Sequence, residues 1–414
     1  MRMEGNFPAK RFWRFVAAAV LAAVFGVVID AVLLWRHAGE TAASEEISVA
    51  ENEEDTGWFS DVFGNFTDEY RSENRTHAPY SEGLSKEEVL AKMKRAGCVA
   101  DGFLSGYGDE EEIAAMVRRS ECEYLHRAIE TWRHPPNFDE VERIRELVAR
   151  PMIYGMFIAE AIDTKDDYTY GNEARDFSFK KMCKPGSDNY WGEHTCVPHT
   201  SRGEYRRYVD QIAKDAMHEG VRVFLFGQVF MQDDVSDSRM PEILQSMREY
   251  AQFLGVDIVI GAQTNDIVDE EYLRMFDFIE GGAGLRADGS IEHQPCFSRW
   301  WSPEEGGWCW ALLHHERYAS KANDVFIHFD WNGNVGDEMN AFASMNRSKR
   351  AETLRQLHGF FLKRDMGFLL PFLTPLDERN GGCYGEKARY YSPDNAHGCK
   401  DEDAMNAIMR EAKG

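Results

Sequence analysis

From Pro151 onward, short apolar runs alternate with amphipathic stretches. The runs are PMIYGMFIAE from Pro151, VRVFLFGQVF from Val221, VDIVIGAQ from Val256, FDFIE from Phe276, VFIHFDWNG from Val325 and MGFLLPFL from Met366. Runs this short and this continuously apolar read as strands buried on both faces. Between them lie EYRRYVDQIAKDAMHEG, MPEILQSMREYAQFLG, DEEYLRMF, WALLHHERYASKA and SKRAETLRQLHGFFLKRD, which carry helical spacing. Several of these stop at a glycine just before the next strand, as a helix C-cap does. Repeated strand–helix units predict a parallel sheet covered by helices, either a closed barrel or an open doubly wound sheet. Five runs end on a polar residue: Glu160, Gln228, Gln263, Glu280 and Asp330. In a closed barrel such ends converge on one mouth. An open sheet would carry a glycine-rich phosphate turn after its first strand, where this chain has Glu160. The predicted fold class is therefore α/β, a TIM-type (β/α)8 barrel over residues 151–414. Six strands are legible, and the other two are sought in Val99–Ser105 and Ser290–Pro295.

Upstream the pattern changes. Residues 85–150 read as a helical region packing on the barrel, or else beginning it. SKEEVLAKMKRAG opens with Ser85 and has Glu88 three residues on, a capping box, and Glu110–Met116, Glu121–Arg133 and Asp139–Ala149 follow as further helices. Residues 36–84 are polar and acidic with little to bury, so they are expected to form a stalk. Phe15–Trp35 is a 21-residue apolar run preceded by Arg2, Lys10, Arg11 and Arg14. That length spans a bilayer core and the preceding charges keep residues 1–14 in the cytoplasm. The expectation is an uncleaved signal-anchor with the rest of the chain extracytoplasmic, at the cell surface or in the periplasm; a cleaved signal peptide is the alternative.

Charge narrows the partners. The chain has 414 residues, 47 basic and 71 acidic side chains, and a net charge of −24. That balance argues against nucleic acid, which needs clustered Lys and Arg. The lipid contact expected is through the N-terminal helix. The eight cysteines all follow the anchor and fall into successive close pairs: Cys98 and Cys122, Cys183 and Cys196, Cys296 and Cys309, Cys383 and Cys399. Sequential pairing is the simplest of 105 connectivities and suits an oxidising compartment.

The strand ends carry the candidate chemistry. Strand alternation puts Phe278 with Glu280, and His328 with Asp330. If those faces look inward, Glu280 and Asp330 both reach the mouth. Two carboxylates across a cleft suit glycosidic bond cleavage, one protonated to donate and one ionised to attack or to activate water. Glu280 is the candidate acid, Asp330 the nucleophile or base, and Glu160 a further candidate. His328 is placed to orient Asp330. The bland alternative is that each carboxylate caps a strand end or pairs with a cation. Six of the ten tryptophans fall between residues 191 and 331, on loops that follow predicted strands. Trp191, Trp300, Trp301 and Trp331 are candidate sugar-stacking faces, with Gln228, Gln263, His328 and Asp234 as polar contacts. Some of the tryptophans are expected only to pack loops on the barrel. No metal or other cofactor is expected: Cys196, between His194 and His199, reads as oxidised. The acidic MQDDVSDS segment lacks the glycine and distal glutamate of a calcium loop.

With FDFIE, VFIHFDWNG and the tryptophan-rich loops in view, the chain resembles the glycoside-hydrolase-type (β/α)8 barrels over about Pro151–Lys413. The resemblance is one of architecture. Ile279, rather than asparagine, precedes Glu280, so the large clan with an Asn-Glu pair after its fourth strand is not matched. It implies a polysaccharide or glycan substrate. The rival reading is a non-catalytic barrel that binds glycan or helps to build the cell surface.

Overall fold

The computed structural model describes residues 83–171, 175–265, 267–286, 288–291, 313, 320, 323–331 and 337–414. The apolar run Phe15–Trp35 and the acidic stretch after it lie outside the described residues. Among the described residues no helix is long and apolar enough to cross a membrane.

Among the described residues, eight parallel strands form the body of the sheet: β1 (Gly97–Ala100), β2 (Tyr124–Glu130), β3 (Ile153–Ile158), β4 (Val223–Phe226), β5 (Val259–Gln263), β6 (Phe278–Gly282), β7 (Asp324–His328) and β8, made of the adjoining pieces Gly367–Phe368 and Leu370–Pro375, to whose end Tyr390–Tyr391 pairs antiparallel. Each strand pairs with its neighbour in chain order. The first piece of β8 pairs with β7, Ile327 opposite Phe368, and the second with β1, Cys98 opposite Leu370. The Leu369 N–H between them still donates to the Ile327 carbonyl at 2.8 Å. The sheet therefore curls until both edges share one segment of chain, the arrangement of a (β/α)8 barrel.

The six strands expected from the apolar runs form where those runs lie. The start of the barrel does not match expectation. Residues 85–150, read as a helical region beside it, supply its first two strands. Val99 does lie in β1, but Glu121–Arg133, read as a helix, contains β2. Its charged residues suggested a solvated helix face; in the barrel Arg127 and Glu130 instead pair with each other. At the other expected location, Ile291 forms an isolated bridge to Leu285, and residues 292–295 lie outside the described residues.

Helix α1 (Lys86–Ala96) precedes β1. The Ser85 hydroxyl accepts from the Glu88 N–H, and the Glu88 carboxylate accepts from the Ser85 N–H at 2.8 Å, completing the expected capping box. Its buried face, Val89, Leu90 and Met93, packs into the cluster formed by the inward side chains of the strands, among them Val99, Tyr124, Phe157, Phe278 and Phe326. The helix thus floors the barrel at the N-terminal ends of the strands. Outside, helices including α2 (Glu110–Arg119), α3 (Phe138–Val148), α4 (Gly203–His218), α5 (Met240–Leu254) and, towards the C-terminus, α6 (Arg347–Leu362) and α7 (Glu402–Lys413) bury apolar faces against the sheet.

Glycines let large rings enter this interior. A Cβ on Gly261 would stand 2.2 Å from the Phe278 ring. Gly261→Ala is expected to destabilise the protein by about 1–3 kcal/mol through overpacking. Urea unfolding checks this, and an unchanged midpoint would mean the ring has room to move.

Three of the four expected disulfides form: Cys98–Cys122, Cys183–Cys196 and Cys383–Cys399. The first ties β1 to the residues entering β2. Cys296 and Cys309 lie outside the described residues.

Candidate active site

The C-terminal ends of the strands bring a dense set of ionisable groups together. At the deepest level sits Glu280 of β6, 1% exposed. Its Oε2 lies 2.7 Å from His126 Nε2, and its Oε1 lies 3.1 Å from both His328 Nε2 and Gln263 Nε2. His126 Nδ1 is 2.8 Å from the Tyr124 hydroxyl, and His328 Nδ1 is 2.7 Å from the Phe329 carbonyl. Proton positions follow from these partners. The Phe329 carbonyl and the Glu280 carboxylate can only accept, so His328 donates from both nitrogens and is an imidazolium. The Tyr124 hydroxyl donates to His126 Nδ1, leaving a neutral His126 to donate from Nε2. The electrostatics agree. Burial alone would raise Glu280, but the two imidazoles outweigh it and hold the carboxyl far below its usual range. Burial also disfavours a charged His328, yet Glu280 and the Phe329 carbonyl lift it to about 9. His126 is lowered, with burial its main cause.

A bulge makes this layer possible. The β2–β3 register shifts between Leu125 and Ile129, and Arg127 has φ 54°. Consecutive residues of a regular strand face opposite ways; here His126 and Arg127 both reach the interior. Arg127 contacts Asp101, just past β1, and Glu130, at the end of β2. Its guanidinium stacks 3.7 Å from the centre of the Phe157 ring and 4.6 Å from that of Trp331. The Trp331 ring in turn meets the His328 ring edge-on at 5.2 Å.

Glu160 lies beyond β3 and is 1% exposed. Oε1 accepts from the Gln228 amide, while Oε2 is buried with no hydrogen-bond partner. Burial pushes the carboxyl up to about 7, against weaker pulls from a backbone hydrogen bond, Arg127 and Gln228. Gln228 holds φ 23°, a strained backbone for a residue with a side chain, and its N–H faces Gln263 Oε1 at 3.4 Å. Trp191 donates its indole N–H to the Glu160 carbonyl at 3.0 Å and meets Trp132 edge-on at 5.0 Å. The exposed Tyr190 also meets Trp191 edge-on, at 4.9 Å. An aromatic row therefore leads to Glu160.

Asp330, beyond β7, lies beside Glu338. The Glu338 carboxylate accepts from the N–H groups of Ala283, Gly284 and Asp330, clasping the segments after β6 and β7. Burial, then the charge of Asp330, pushes Glu338 up to about 8.

Of the residues singled out from sequence, Glu160, Gln228, Gln263, Glu280, His328, Asp330, Trp191 and Trp331 belong to this end of the barrel. Asp234 does not join the network. It is exposed and caps the turn at Val235–Asp237 through Ser236. Its neighbour Asp233 accepts from Thr200, Ser238 and Tyr272 and ties their loops together. Trp300 and Trp301 lie outside the described residues. His126, Arg127, Glu130 and Trp132 went unnoticed because Glu121–Arg133 was read as a helix; Asp101, inside the candidate strand Val99–Ser105, was not singled out. Part of the signal was present: Asp101 follows the short apolar run Cys98–Ala100, as Glu160 and Glu280 follow theirs. A separate crevice of about 510 Å³ at the opposite face is lined by Lys86, Arg248 and Asp277 among others, and shares no residue with the mouth.

No protein-family model matches the chain, and no curated protein matches it. Among solved structures it is similar to a GH27 β-L-arabinopyranosidase from Geobacillus stearothermophilus, at 11% identity over 70% of this chain and 74% of that one, with a TM-score of 0.38. It is similar to an α-galactosidase from Thermus thermophilus at 13% identity over 68% and 61%, TM-score 0.40. It is likewise similar to α-galactosidase I from Mortierella vinacea at 8% identity over 78% and 74%, TM-score 0.38. These neighbours are glycoside hydrolases, and the chain's likeness to them is one of architecture at low identity.

Proposed function

We propose that the protein hydrolyses glycosidic bonds in a cell-envelope or external polysaccharide, from an extracytoplasmic barrel anchored to the membrane through Phe15–Trp35. The observation that carries the reading is Glu160: a buried carboxyl, raised to about 7, with one unpartnered oxygen, at the end of an aromatic row. A general acid must hold its proton near neutrality and have an atom available to the leaving oxygen. Glu160 keeps its proton up to about 7 and leaves Oε2 uncommitted to any hydrogen bond. Glu280 does not, because its two histidines keep it ionised and engaged. Its role here is a fixed negative charge that orients His328. Asp330 is the candidate for the second carboxylate, as nucleophile or base. Trp191, Trp132 and Trp331 offer flat apolar faces to sugar rings. The three disulfides and the apolar N-terminal run support the extracytoplasmic placement.

The test is release of new reducing ends from a panel of bacterial and plant polysaccharides by the full-length protein, with Glu160→Gln alongside. Release by the wild type that is lost in the variant supports the proposal. Binding without release by either would make the barrel a glycan receptor.

A further inference from the structure

At the mouth, Asp101 and Glu130 share one cation. Arg127 Nε lies 3.0 Å from Asp101 Oδ1, and its Nη2 lies 2.8 Å from Glu130 Oε2. Glu130 Oε1 is occupied as well, accepting from the N–H groups of Thr131 and Trp132, each at 3.0 Å. Asp101 Oδ2 has no donor, although the residue is 1% exposed. Neighbouring groups do not supply the missing charge. His328 is spent on Glu280 and the Phe329 carbonyl. Tyr107 is a neutral phenol, raised to about 12 by burial, then by Glu130 and Asp101. Two carboxylates against one guanidinium leave a negative charge without a counter-ion, in a place where bare charge is expensive. Such a group takes up a proton or a cation. Without ligand it takes the proton, since burial, opposed by Arg127, pushes Asp101 to about 8.

We infer, building on the saccharide reading above, that the substrate is an amino sugar with a free amine, whose ammonium donates to Asp101 Oδ2. An ammonium brings both what the site lacks, a donor and a positive charge. A sugar hydroxyl brings only the donor, and an N-acetyl group brings no charge. Trp331, stacked on Arg127, supplies an apolar wall beside the amine. Exchange is balanced: the ammonium enters with its charge, Asp101 ionises, and its proton leaves to solvent. A polycationic chain of such sugars would also be drawn by the net charge of −24.

Calorimetry on the full-length protein tests this with glucosamine oligomers, their N-acetylated counterparts and neutral glucose oligomers of equal length. Titrations at about pH 6, in buffers of different ionisation enthalpy, count protons released. Glucosamine oligomers are expected to bind at least ~10-fold more tightly than either other series, releasing about one proton, with the advantage shrinking as salt rises. Asp101→Asn is expected to abolish the advantage and the proton release. Glu130→Gln, which removes the companion charge, is expected to reduce the advantage and gives a second test should Asp101→Asn not fold. Equal or tighter binding of the acetylated or neutral series, binding without proton release, or no binding of any series overturns the inference. Reducing-end release is scored separately. An amine preference without cleavage sinks the hydrolysis reading and leaves this one standing. Preferred binding and cleavage of a neutral series does the reverse.

Discussion

In Glu160→Gln protein, cleavage of the best panel substrate is expected to fall by ~10²–10⁴-fold while binding persists. The amide keeps the size of the side chain and can still meet Gln228, so the loss isolates the transferable proton. The pH profile adds an independent check. Burial holds the Glu160 proton up to about pH 7. Above that pH the carboxyl ionises, so wild-type kcat is expected to decline through an alkaline limb near 7. The variant has no such group, and its residual activity is expected to lack that limb. Undiminished cleavage by Glu160→Gln, or the same limb in both proteins, would assign the acid elsewhere.

Glu280→Leu is expected to be the most destabilising single change in the barrel interior, by about 3–5 kcal/mol. It leaves His328 with one carbonyl partner, strips His126 of its acceptor and removes the partner of the Gln263 amide. The thermal midpoint is expected to fall by ~10 °C. The pH dependence distinguishes this origin from simple misfit. His328 rises from an ordinary value of 6.5 to about 9 on folding, so its stabilisation is complete below 6.5 and disappears as pH climbs through 9. Glu280 shifts the other way. Its stabilisation is present above its ordinary value of 4.5 and is lost as pH falls toward its depressed folded value. Both contributions are therefore whole only between 4.5 and 6.5. Asp101, Glu160 and Glu338, raised by burial, oppose folding increasingly from their ordinary values up to between about 7 and 8. Wild-type stability is thus expected to peak on the acid side and decline toward pH 9. In Glu280→Leu the part of that decline due to His328 is expected to vanish. Urea midpoints across pH, compared between the two proteins, decide the matter; parallel curves would remove His328–Glu280 as the source.

These two carboxylates also mark how far sequence alone reaches. Strands β3 to β8 were legible because each is a continuous apolar run bounded by polar residues, and a parallel sheet buries both faces of such a strand. The polar residues that end them, Glu160, Gln228, Gln263, Glu280 and Asp330, could be placed at one mouth by the same logic. What could not be read was which carboxylate keeps its proton. That depends on partners far away in the chain: Glu280 is set by His126 and His328, and Glu160 by burial and Gln228. β2 escaped for a related reason. YLHRAIE carries an arginine and a glutamate three residues apart, a spacing that also suits a helix surface. Only the bulge at Arg127, and the Asp101 that meets it, makes those charges interior. Asp234 shows the converse case, an acidic residue near a strand end whose carboxylate caps its own turn.

The seam between β1 and β8 governs the order of events during synthesis. β1 is among the first strands to leave the ribosome, yet one of its two neighbours is the last of the eight parallel strands. Further support comes later still, since Cys98 Sγ lies 3.7 Å from Met409 Sδ of α7, and Arg119 pairs with Asp394 and Glu402. A nascent chain that has delivered β1 to β7 is an open sheet with two bare edges, the form of a parallel fold most prone to pair with another chain. The Cys98–Cys122 bond needs only residues made early, so it can fasten β1 to β2 before the ring shuts. Its contribution is then as much to the traffic of folding intermediates as to the finished barrel.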